Sequence, residues 1–226
     1  MLSELEFGSH GSYVPRTRAT TAAQQDSATW TYNLKGDVMI RGVGSEIFPR
    51  PLTTSSIFAQ RVRENYERSP LHGVLGPTVV LVPVPRSSLT KAGTLWPAER
   101  IAMALCQVGL GGSVHALLRR TEPVAPSSLG GARLAKIHYE SMGIANRVSR
   151  DLFTTRMRIV LVDDVVTSGA TLLGAASRMA EALGDSEIRG FAAVRTISDP
   201  SAFRSLRDPV LGRITLREDG TCRRVP

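Results

Sequence analysis

The stretch IVLVDDVVTSGATL, Ile159 to Leu172, joins a continuous apolar run to two adjacent carboxylates, then to small hydroxyl residues around one glycine. A β-branched run of this kind marks a strand buried on both faces, as in a parallel sheet covered by helices. Apolar spacing resumes in ATLLGAASRMAEALG, where Leu172, Ala176, Met179 and Leu183 share one helical face. The predicted unit is a strand (RIVLV), a loop (DDVVTSG) and a helix. In such sheets ligands sit at the carboxyl ends of the strands, where this loop lies. Adjacent carboxylates repel, so a purely structural strand end has little use for Asp163 and Asp164 together.

Working outward, TVVLVP from Thr78 predicts a second buried strand, followed by the loop PVPRSSLTKAGTL. In WPAERIAMALCQVGL, Ile101, Leu105 and Val108 form a helical face, and Pro97 stands where a first turn tolerates it. SVHALLRR and GFAAVR predict further strands, and RITLRE-DG-TCRR a hairpin turning at Asp219-Gly220. Toward the N-terminus, Ile57, Phe58, Val62 and Tyr66 recur at helical spacing, with Ser55 or Ser56 as the expected cap. Trp30 to Leu34 alternates like a short strand, and residues 1–28 are polar and aperiodic, predicting a flexible tail. Thr121 to Asp151 predicts a long irregular stretch. Alternating strands and helices imply an α/β fold with a mostly parallel central sheet flanked by helices. The expected division is a tail over 1–28 and one domain over 29–226, with a core at about 78–196 and a C-terminal hairpin at about 212–224.

At 226 residues with 42% hydrophobic composition, the chain suits one packed domain with extra pieces. No apolar run approaches the ~20 residues of a membrane helix, and MLSELEFGSH lacks the features of a secretory signal, so a cytoplasmic protein is expected. Cys106 and Cys222 are isolated, which predicts neither a disulfide framework nor a zinc ribbon. The net charge of +8 is almost all arginine, with lysine only at positions 35, 91 and 136. It suits anionic partners, but the arginines are spread along the chain rather than clustered, which favours an ordinary solvated surface, and no nucleic-acid-binding motif accompanies it. Oligomeric state is not legible.

The loop's chemistry is more specific. Its entry into a helix leaves free amides whose dipole favours a phosphate. Gly169 permits close backbone approach, and Thr167, Ser168 and Thr171 offer short hydroxyls. The loop has no lysine, unlike a P-loop, which points to a terminal monoester rather than a triphosphate. Two carboxylates beside a phosphate make sense if the phosphate is on a sugar. Asp163 and Asp164 would accept hydrogen bonds from ring hydroxyls, help hold a hydrated Mg²⁺ and stabilise a cationic anomeric carbon.

Residues 159–171 resemble the signature of type I phosphoribosyltransferases, and TVVLVPVPRSS resembles the first core strand and pyrophosphate loop of their ComF-like branch. The resemblance covers roughly Thr78 to Arg195; Thr94 to Glu99 departs from that branch's pattern, and its cysteine zinc ribbon is lacking. It implies a Rossmann-like phosphoribosyltransferase fold with small hood segments that binds 5-phosphoribosyl-1-diphosphate with Mg²⁺ and transfers the phosphoribosyl group to an acceptor the sequence does not name. A sensor of the same fold that binds without catalysis is the alternative. Carried over, Asp163 and Asp164 would serve the ribose hydroxyls and, through these or water, the metal. Val165, Val166, Thr167, Ser168, Gly169, Ala170 and Thr171 would hold the 5-phosphate, and Pro85, Arg86 and Ser87 the diphosphate. Arg133 and His138 would belong to a closing loop, with His138 touching phosphate or moving a proton.

Overall fold

A computed structural model describes residues 1–43, 46–89, 93–124, 134–145, 157–184 and 186–226. The chain opens with β1 (Glu4–Tyr13) and α1 (Ala22–Gly36), then a hairpin of β2 (Met39–Val43) and β3 (Glu46–Thr53), and α2 (Thr54–Glu64). Two short 3-10 turns lead to β4 (Val80–Pro83), α3 (Pro97–Gln107), β5 (Ser113–Val114) and β6 (Leu118–Arg120). Next come α4 (Ala135–Glu140), β7 (Met142–Ile144), β8 (Arg158–Val166), α5 (Ala170–Leu183) and β9 (Glu187–Thr196). A hairpin of β10 (Arg207–Leu216) and β11 (Cys222–Val225) ends the chain.

The main sheet runs β11-β10-β1-β9-β8-β4-β5. β1, β9, β8, β4 and β5 are parallel, and the terminal hairpin adds two antiparallel strands at one edge. This is an α/β fold with a mixed, mostly parallel central sheet flanked by helices. Side chains alternate along β8, so Ile159 and Leu161 enter one core with α5. Val160 and Val162 enter the other, with Phe58 of α2 and Ile101 of α3.

The N-terminal expectations need correction. Residues 4–13, read as part of a tail, form a strand lying between β9 and β10, so a boundary at residue 28 would fall inside α1 and part β1 from its sheet. The strand escapes apolar patterning because it runs through Gly8, Ser9, His10, Gly11 and Ser12. Close packing explains its glycines: a Cβ at Gly8 would lie 2.8 Å from Leu71 Cδ2, and one at Gly11 2.7 Å from the Leu206 carbonyl oxygen. Trp30 to Leu34 lies in α1 rather than in a strand. That helix begins at a capping box in which Thr21 and Gln24 bond each other's backbone amides, a signature hidden in a polar stretch. α2 is capped by Thr53, just ahead of Ser55 and Ser56, the caps expected. Strands β4 (Val80–Pro83) and β9, helices α3 and α5, and the terminal hairpin follow the sequence pattern.

Candidate functional site

The strand that carries the acidic pair runs further than predicted: β8 continues through Val166, and only Thr167, Ser168 and Gly169 separate it from α5. Asp163 and Asp164 are therefore still in the strand, and alternation sends them to opposite faces. Asp163 Oδ1 accepts from the Asp164 amide at 2.9 Å, and Asp164 Oδ1 accepts from the Val165 amide at 2.9 Å. Burial, followed by the neighbouring Asp164 carboxylate, holds the Asp163 carboxyl well above the ordinary carboxylate range. Lys35 Nζ, near the C-terminus of α1, lies 3.9 Å from Asp164 Oδ2. The end of α1 that carries Lys35 is tied to α2: Asp37 caps α1 in a left-handed conformation and accepts from the Ser55 amide, while Thr54 Oγ1 donates to the Asn33 carbonyl.

Gly169 turns the chain from strand to helix with φ +91°, a conformation that favours glycine. Space demands glycine too, since a Cβ there would lie 2.6 Å from Ile214 side-chain atoms. The Thr167 carbonyl is anchored by Arg224 Nε at 2.7 Å, and the same guanidinium donates to the Thr196 carbonyl at 2.6 Å. Thr167 Oγ1 lies 3.2 Å from Thr196 Oγ1. Around the start of α5 opens a cavity of about 380 Å³, mouth included, lined by Asp163, by Val165 through Leu172, and by His138. It gathers one carboxylate, three hydroxyls, an imidazole and the amides of a helix start.

His138 reaches this cavity on α4, which packs against Gly174 of α5. Its Nε2 lies 3.4 Å from Thr171 Oγ1, and its Nδ1 lies 3.2 Å from Arg120 Nη2. Burial, then the Arg120 charge, lowers its imidazole to about 4, so it is neutral at pH 7. With the Arg120 N–H directed at Nδ1, the proton of the neutral ring sits on Nε2, facing Thr171.

Arg120 joins the two loops the sequence singled out. Its Nε donates to the Arg86 carbonyl at 2.9 Å and its Nη1 to Ser141 Oγ at 2.6 Å. Burial lowers the guanidinium to about 10 against the pull of Asp163, which leaves it charged at neutral pH. The Arg86 side chain is exposed and donates to the Leu95 carbonyl at 2.6 Å. Buried Trp96 donates from Nε1 to the Val84 carbonyl at 2.8 Å, holding the chain just before Pro85. Pro85 is buried and Ser87 half-buried, with the Ser87 carbonyl accepting from the Val124 amide at 2.8 Å.

Asp163, residues 165–171 and His138 thus line one cavity, while Asp164, Pro85, Arg86 and Ser87 lie outside its lining. Arg133 lies outside the described residues. Arg195 is buried and paired with Asp208, a structural rather than a site position. Lys35 and Arg120 were missed. Lys35 carried a signal as one of three lysines in an arginine-rich chain, and Arg120 carried none beyond ending a short apolar strand. Among the described residues no group of three or more His, Cys, Asp or Glu is placed to hold a metal ion. A hydrated Mg²⁺ takes one or two carboxylates and completes its shell from water and substrate oxygens; of the acidic pair only Asp163 lines the cavity. Among the described residues no helix is long and apolar enough to cross a membrane.

No family model and no curated protein matches the chain. Among solved structures it is similar to a variant hypoxanthine phosphoribosyltransferase from Trypanosoma cruzi complexed with the product IMP. There, identity is 17% over 73% of this chain and 84% of the other, with a TM-score of 0.33. It is also similar to the adenine phosphoribosyltransferase from Leishmania donovani, at 16% identity over 81% and 89% of the two chains, with a TM-score of 0.32. Likeness at this level carries no functional argument, and the chemistry of the cavity stands on its own residues.

Proposed function

We propose that the chain binds 5-phosphoribosyl-1-diphosphate at the β8–α5 turn and transfers its phosphoribosyl group to an acceptor, releasing pyrophosphate. The observation that carries this reading is the single cavity in which Asp163 faces the hydroxyls and amides of Thr167 to Thr171. A phosphate alone would be repelled by that carboxylate, and a sugar alone would leave the helix-start amides unused. A sugar phosphate uses both.

In this reading the amides and hydroxyls of Thr167, Ser168 and Thr171 hold the 5-phosphate, with the positive end of the α5 dipole behind them. Asp163 accepts from a ribose hydroxyl. Asp164 does the same once Lys35 gives way or shares it. Arg86 exchanges its contact with the Leu95 carbonyl for diphosphate oxygens, and Arg120 fixes the distance between that loop and His138. The neutral His138 Nε2–H donates toward the phosphate side of the cavity. As the C1–O bond breaks, its electron pair leaves on pyrophosphate and positive charge grows on the ribose, where the two carboxylates stabilise it. The acceptor forms the new bond at C1 and gives up its proton. Mg²⁺, reached by Asp163 and Asp164 only indirectly through ribose hydroxyls or water, would supply neutralisation of diphosphate charge.

Calorimetric titration with the sugar diphosphate and Mg²⁺ tests the reading. The parent chain should bind and Asp163→Asn/Asp164→Asn should not; absent binding to the parent, or equal binding to both, ends it. Pyrophosphate release in the presence of a pool of nucleobases then separates a transferase from a sensor.

A further inference from the structure

A second cavity lies between the sheet and its N-terminal cover of α1, α2 and the β2–β3 hairpin, outside the acidic site. It holds about 390 Å³, mouth included. Trp30, Ile57, Phe58 and Val194 give it apolar walls. Into this apolar space β1 brings His10, only 6% exposed and packed edge-on against Phe58 with ring centroids 5.4 Å apart.

The His10 ring nitrogens make no hydrogen bond among the described residues. Buried polar groups are normally paired, and an exception calls for an explanation. Among the described residues no side-chain nitrogen or oxygen is both sealed from solvent and unpaired. The His10 nitrogens therefore open on the cavity.

Two arginines stand in the lining. Arg61 is already neutralised by Glu46 and Glu64. Arg207 is exposed and has no carboxylate partner among the described residues. Burial and then the Arg207 charge lower the His10 imidazole to about 4, so at pH 7 the ring offers one donor and one acceptor. The cavity therefore combines an apolar floor, a neutral polar edge and an unneutralised cation.

We propose that this cavity is a binding site for a small planar aromatic carboxylate, its ring against the apolar walls, a polar ring edge or carboxylate oxygen on His10, and its charge on Arg207. The apolar walls suit a ring, and the unneutralised guanidinium supplies the charge that a purely apolar guest would leave unanswered. His10 stands in the same row of the sheet as Ala193 and Asp164, so the guest occupies the sheet face that Asp164 shares. The assignment does not depend on the sugar-phosphate reading.

The test uses the full chain with histidine-ring NMR, benzoate as probe and benzamide as its uncharged counterpart. Benzoate should shift one histidine signal saturably, and that signal should be absent in His10→Phe, which keeps the ring contact with Phe58. Benzoate should bind at least about 10-fold more tightly than benzamide, the worth of a charge-assisted hydrogen bond. Arg207→Gln, an exposed change that leaves the core intact, should abolish that preference. No saturable shift, equal affinity for the two probes, or unchanged benzoate binding in Arg207→Gln overturns the proposal.

Discussion

Gly174 offers a test whose sign alone is informative. In a solvent-facing helix, glycine to alanine gains about 1 kcal/mol from backbone entropy. At Gly174 a Cβ would lie 2.7 Å from His138 Cβ, 2.8 Å from the Ala135 carbonyl oxygen and 2.8 Å from the Tyr139 nitrogen. None of these atoms is the end of a flexible side chain, so α4 must retreat as a body. Ordinary contact begins at 3.4 Å, which makes the retreat roughly 0.7 Å, a displacement that forfeits a good part of the dispersion contact between the helices. Overpacking of this kind costs about 1–3 kcal/mol. Set against the entropy gain, Gly174→Ala should lose about 1 kcal/mol, or roughly 2–4 °C in Tm for a chain of this size. Urea denaturation followed by circular dichroism measures it, and the His138 ring signal reports the moved helix. A variant that is about 1 kcal/mol more stable, with that signal unmoved, would refute the packing of α4 on α5.

Arg120→Met should cost about 2–4 kcal/mol in urea denaturation, because it strands the Arg86 carbonyl and His138 Nδ1; a loss below 0.5 kcal/mol would show that the bridge is not structural. Asp163→Asn should raise stability by about 1 kcal/mol by relieving burial and repulsion from Asp164, while lowering affinity for ribose 5-phosphate; a destabilised variant contradicts this. His10 and His138 fall from 6.5 in the unfolded chain to about 4 in the folded one. The unfolded chain therefore binds more protons between those values, so stability is full above pH 6.5 and falls toward pH 4, by up to about 3 kcal/mol per histidine. His10→Phe should flatten that decline, and an identical urea midpoint profile in parent and variant would oppose it. Trp96→Phe should cost about 1–2 kcal/mol through the unanswered Val84 carbonyl, and no loss would mean that another donor replaces it.

The parts legible in the sequence are those with strong periodicity. β4, β8 and β9 are apolar on both faces, and α3 and α5 keep one apolar stripe, so pattern and structure coincide. β1 was illegible because its burial is achieved by removing side chains rather than by making them apolar: its glycines let Leu71 and Leu206 approach. The phosphate-type turn was legible because glycine, hydroxyls and a helix start are local. The separation of Asp163 from Asp164 was not, since it depends on β8 continuing past the apolar run. Lys35, Arg120 and His10 reach their places through tertiary contacts with segments far away in sequence, and no local spacing announces such contacts.

The position of β1 governs the order in which the molecule can be completed. Glu4 pairs with Thr215, and Phe7 with both Gly190 and Gly212, so β1 finds its partners only in segments far later in the chain. Until β9 and β10 have been made, β1 lacks its sheet neighbours. Contacts of such high sequence separation slow folding and expose edges in the meantime. The glycines and serines of β1 make that wait safer, because a strand so poor in apolar side chains has little to offer a wrong partner. A change within β1 therefore acts on the interior of the sheet, not on its margin.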